Sequence, residues 1–108
     1  MEGRDLKHLS IAALTLFTSF SANSYDRYCV GDAHVLEMLA IEQQDTVAAE
    51  KYRAVKNKKI KEHGLDGAKT SGILMTEMLL ASDMREKEGV STQELKARYE
   101  KMYAKYCE

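Results

Sequence analysis

Few side chains in this sequence are spaced to do chemistry together. His34, Glu37 and Met38 stand at i, i+3 and i+4, which gathers them on one face of a helix where they could hold a metal ion. One imidazole with one thioether is a weak ligand set, and no second group of ligands completes it, so no metal is expected. His8 and His63 are not read as metal ligands. Glu77 and Asp83, like Glu86 and Glu88, alternate with Arg85 and Lys87, the pattern of a charged helix surface rather than of a paired acid and base. Ser71, Ser82 and Ser91 lie outside any GxSxG setting, and there is no P-loop, GxGxxG or HExxH stretch. A protein without enzymatic activity and without a cofactor is expected.

The densest charge is the run Lys51, Arg53, Lys56, Lys58, Lys59 and Lys61. Such a run suits an acidic protein partner. A nucleic-acid partner is not expected, because the net charge is −1 and Tyr52 is the one aromatic interleaved with the run. On a helix these six cations point in several directions, so much of the run reads as a solvated face. Met75, Met78 and Met84 would either line an adaptable groove or fill a core.

The two cysteines carry the strongest constraint. Cys29 and Cys107 form no CxxC pair, which argues against a redox or zinc motif and for one intramolecular disulfide. That bond requires an oxidising compartment, and the N-terminus supplies a matching address. Residues 9–17, LSIAALTLF, are apolar and uncharged, too short to span a bilayer and of the length of a signal-peptide core. Arg4, Lys7 and His8 precede them. Ala22 and Ser24 are small residues at the −3 and −1 positions of a cleavage site before Tyr25. Residues 1–24 are therefore read as a signal peptide and 25–108 as a single helical domain. Glu2 and Asp5 offset the leading positive charge, which leaves two alternatives: an amphipathic N-terminal helix, or a retained weak membrane tether.

The elements that position these residues are helices. The chain has 108 residues, no proline and six glycines, with 44% hydrophobic and 31% charged residues, which suits one small all-α domain. Ser91-Thr-Gln-Glu94 is a capping box, with Val90 and Leu95 as its hydrophobic staple. Leu95, Tyr99, Met102, Tyr103 and Tyr106 then recur at helical spacing, predicting a helix over 92–107. Ile73, Leu74, Met75, Met78, Leu79, Leu80, Ala81 and Met84 cover a wide arc, predicting that the helix over about 70–88 is the most buried. Its cap is Asp66, Thr70 or Ser71. Gly64 followed by Leu65 is a Schellman ending for the helix before it.

Residues 32–63 read as helical throughout, but one helix of that span would be about 45 Å long. Three helices would also place Cys29 and Cys107 at opposite poles, beyond the roughly 7 Å between Cα atoms that a disulfide allows. Breaking the span at Gln43-Gln44-Asp45-Thr46, with Asp45 as N-cap, restores the match. The expected fold is a small four-helix bundle, near 32–43, 46–63, 70–88 and 92–107, closed by one disulfide. It becomes three long helices if 32–63 is unbroken.

The function expected of such a chain is that of an exported helical protein that occupies a protein partner, of the inhibitor, immunity or chaperone type. A membrane-tethered regulator retaining its apolar segment, such as a phage lysis or exclusion regulator, is one alternative, with membrane contact only in that case. A cytosolic helical protein with free thiols is the other.

Overall fold

The computed structural model describes residues 28–108, which form four helices and no strand. We name them α1 (28–42), α2 (Thr46–Glu62), α3 (Gly67–Glu86) and α4 (Thr92–Tyr106). The connections are short, so successive helices run antiparallel and the chain folds as an up-down-up-down bundle. The expected leader, residues 1–24, lies outside the described residues. No helix among the described residues is long and apolar enough to cross a membrane.

The break between α1 and α2 falls where the disulfide argument requires it. Gln44 takes the left-handed conformation at φ 59°. Its N–H donates to the Ile41 carbonyl at 3.0 Å, and the Asp45 N–H donates to Ala40 at 2.9 Å. These two bonds make a Schellman ending, and the Asp45 side chain then accepts from the Ala48 N–H at 3.1 Å to start α2. Gly64 repeats the motif at φ 58°, with Leu65 N–H donating to Ile60 at 3.1 Å. A glutamine does at residue 44 what a glycine does at residue 64, against the steric cost of a Cβ in that region. Gln44→Gly is therefore expected to raise unfolding stability by roughly 1 kcal/mol in urea titration; a loss would contradict the assigned conformation.

At the start of α3 the choice among three caps resolves to Asp66, whose side chain accepts from Lys69 N–H at 2.8 Å. Ser91 caps α4, accepting from Glu94 N–H at 3.1 Å. The Glu94 carboxylate accepts from Arg98 one turn along.

Cys29 and Cys107 are bonded, with Cα atoms 5.0 Å apart and a sequence separation of 78. They lie at one pole, beside the Tyr28 and Tyr106 rings, whose centroids are 5.0 Å apart. At the other pole Arg85 donates to both carboxylate oxygens of Glu42, at 3.2 and 2.9 Å, tying α3 to the end of α1.

The core corrects one expectation. α3 is not the most buried helix; α1 is. Cys29, Val30, Ala33, Val35, Leu36, Leu39 and Ala40 are all buried, whereas α3 buries only Ala81. The reason is geometric. A bundle helix hides one stripe, and the apolar residues of α3 spread around its circumference, so they cannot all face inward. α1 carries Gly31, Ala33 and Ala40, small residues that let its neighbours approach closely. Leu95, Tyr99 and Tyr103 of α4, with Val90 before it, close the core against α1, and Tyr52 and Val55 of α2 pack on its edge. Tyr52 and Tyr103 meet edge to face with centroids 5.2 Å apart.

Candidate functional site

The basic run is not one surface. Arg53 and Lys56 turn toward α1 and hold the carboxylate of Glu37, at 2.7 and 2.5 Å. The Lys56 side chain is only 12% exposed, so its charge is taken up inside the bundle. Its ammonium also donates to His34 Nδ1 at 3.1 Å, which leaves the neutral ring with its proton on Nε2. Burial pushes the Glu37 carboxyl up, but the hydrogen bonds and charges of Lys56 and Arg53 outweigh that and hold it below its usual value. Burial, then the Lys56 charge, lowers His34 against the opposing pull of Glu37. Two of the three residues weighed as metal ligands thus serve an ion-pair network, and no group of metal-binding side chains occurs among the described residues.

The remaining cations face outward. Lys51 lies over the Tyr52 and Tyr103 rings, 5.7 and 6.0 Å from their centroids. Lys58 pairs loosely with Glu62 at 3.8 Å, and Lys59 and Lys61 occupy the last turn of α2, where the helix dipole favours cations.

Two clefts lie along the seam between α1 and α3. The one near the disulfide pole holds about 370 Å³ between Tyr28 and the Lys69, Gly72, Ile73, Thr76 and Glu77 side of α3. The other, nearer the Glu42–Arg85 pair, holds about 240 Å³ and is walled mainly by Val35, Met38, Leu39, Met78, Ala81 and Leu95. Beside Met78 on the helix surface, Met75 and Leu79 form a flank that is 65% and 61% exposed. Leu80 is also exposed, further round α3. Met78 lines the second cleft, and Met75 and Leu79 lie three residues before it and one after it on α3.

Between the two clefts the helices come together at an acidic cluster. Asp32 is 2% exposed and its Oδ2 has no hydrogen-bond partner. Glu77 reaches across from α3 and packs on the α1 backbone at Gly31; a Cβ there would fall inside the Glu77 side chain. Tyr99 of α4 donates its hydroxyl proton to Glu77 Oε2 at 3.2 Å. Burial, and then the neighbouring Glu77, push the Asp32 carboxyl up to about 7. Burial raises Glu77 against the lowering hydrogen bond from Tyr99. The Tyr99 hydroxyl is itself raised, by burial and then by Glu77 and Asp32.

Sequence reasoning located the cations but not the carboxylates that organise the fold. Asp32 looks like a helix-start residue and Glu77 like surface charge. The available signal was the neighbourhood of Asp32: Cys29, Ala33 and Leu36 share its helix, so an inward-facing carboxyl was implied once the whole face proved buried.

No protein-family model matches the chain, and no curated protein or solved structure is significantly similar to it, so its reading rests on its own geometry.

Proposed function

We propose that this chain is a small exported binding protein whose α1–α3 cleft and flank receive an apolar helical segment of a protein partner. One observation carries the reading: Met75 and Leu79 stand exposed beside a preformed apolar cleft rather than scattered singly over the surface. Clustered exposed apolar side chains mark interaction sites, and a groove between two helices accepts the apolar face of a third. Met38, Met75 and Met78 give the surface side chains that adapt to a partner's shape. The outward cations Lys58, Lys59 and Lys61 contribute at most steering toward an acidic partner. The Cys29–Cys107 bond supports an oxidising compartment, as the expected leader does.

The test is cross-linked capture of the partner from the natural source, comparing wild type with Met75→Lys/Leu79→Lys. Both positions are exposed, so the variant should melt within a few degrees of wild type. We expect it to lose the complex by at least about tenfold, the scale of 1.4 kcal/mol in affinity. Equal recovery of the same partner by the folded variant would reject this surface.

A further inference from the structure

We propose that Asp32 and Glu77 hold one proton between them, and that this proton latches the α1–α3 seam: with it the helices close, and without it two like charges force them apart. The inference rests on the reading of that seam as the docking site and names its regulation.

The geometry sets up the sharing. From a Cβ position at Gly31, the Glu77 Cδ and Oε1 would lie 3.0 and 3.3 Å away, so the carboxyl of Glu77 sits over the residue next to Asp32. Asp32 is buried with an oxygen that has no partner, which an ionised carboxylate tolerates poorly and a protonated one tolerates better. The Glu77 charge raises Asp32 as well, so the two carboxyls cannot both ionise without mutual cost.

The surrounding groups leave the pair to itself. From α3 the facing group is Glu77, and Lys69 lines the cleft beside it. From α4 it is Tyr99, whose raised hydroxyl keeps its own proton and gives Glu77 only a hydrogen bond. The α2 charges that reach α1, Arg53 and Lys56, are held by Glu37 on another face of that helix. Among the described residues no cation forms an ion pair with either carboxyl, Lys69 included. Because burial and Glu77 bring Asp32 to about 7, the proton is lost across the neutral range. The seam would then be closed in mildly acidic surroundings and open in mildly basic ones, exposing or widening the clefts on either side of the cluster.

The sign is fixed by linkage. A carboxyl whose folded value exceeds its unfolded one makes the folded state bind more protons between the two, so stability falls as pH rises from about 4 through 7. His34, lowered in the fold, works in the opposite sense below its ordinary value of 6.5. That contribution is common to wild type and to an Asp32 variant, so their difference isolates the latch.

The experiment uses the isolated full chain without partner, which separates its failure from failure of the docking proposal. Carbon-detected carboxyl NMR should show the Asp32 resonance titrating near neutrality. Amide exchange, corrected for its intrinsic pH dependence, should show α1 and α3 protection falling about tenfold between pH 6 and 8 in wild type. In Asp32→Asn that fall should vanish. If Asp32→Asn does not fold, Glu77→Gln and the wild-type carboxyl titration decide. Asp32 titrating near 4, or the same loss of protection in the folded Asn or Gln variant, overturns the proposal.

Discussion

Replacing Cys29 and Cys107 together by alanine should lower the melting temperature by roughly 20 °C. The bond spans 78 residues, so it removes a large loop-closure entropy from the unfolded chain. In the chain-entropy model a loop of this length is worth about 4 kcal/mol. For a domain of this size each kcal/mol shifts the midpoint by roughly 4–8 °C. The fold depends on it more than most, because the described core has no Phe or Trp and rests on Leu, Val, Ala and Tyr. Alanine is the right replacement, since Cys29 is fully buried and a hydroxyl there would need a partner. The loss should be read by circular dichroism on oxidised wild type, reduced wild type and the double variant. A reduced protein melting with the oxidised one would show that the helices hold the two ends together unaided.

Glu37→Gln should cost roughly 3 kcal/mol at neutral pH. The substitution keeps the side chain's shape and removes the charge that compensates Lys56, whose side chain is 12% exposed. Arg53 is half exposed and can turn to solvent, but Lys56 cannot do so without leaving its place against α1. Breaking one side of such a pair is far costlier than replacing both, so Glu37→Leu/Lys56→Met should recover most of the loss. The pair also predicts acid behaviour. Because the folded Glu37 value is depressed, its contribution is complete above the ordinary carboxylate value and is lost as pH falls through that value and then the folded one. Urea unfolding of wild type and both variants, at neutral pH and near pH 3.5, tests both statements. Equal stability of wild type and Glu37→Gln at neutral pH would mean that the pair is as solvated as a surface salt bridge.

The helices were legible because their ends carry local chemistry. Ser91 with Glu94, and Gly64 with Leu65, mark ends that need no knowledge of the rest of the chain, whereas Asp45 marks one only once the disulfide requires a break there. The cysteines then supplied the one long-range constraint that set helix number and direction. Burial was not legible in the same way. The apolar arc of α3 looks like a central helix, and only the competition of four helices for one interior shows that α1, with its small residues, takes that place. Side-chain pairing across helices was equally hidden. The six cations of α2 look alike in sequence, and the inward turn of Arg53 and Lys56 depends on Glu37 lying opposite them. The Asp32–Glu77 cluster needs 45 residues of chain to fold back on itself before either carboxyl has a neighbour. Gln44 adopts glycine's conformation with no signal of its own, because the backbone bonds around it dictate the turn.

The fold turns on the Cys29–Cys107 bond, since that junction sets the antiparallel order that brings α1 beside α3 and is consistent with an oxidising compartment. Intact mass of the protein purified from its natural source, with and without reductant and with thiols blocked at lysis, tests it directly. The account predicts a single species that lacks residues 1–24 and gains two hydrogens on reduction. A species with both thiols already blocked by alkylation before reduction would contradict it.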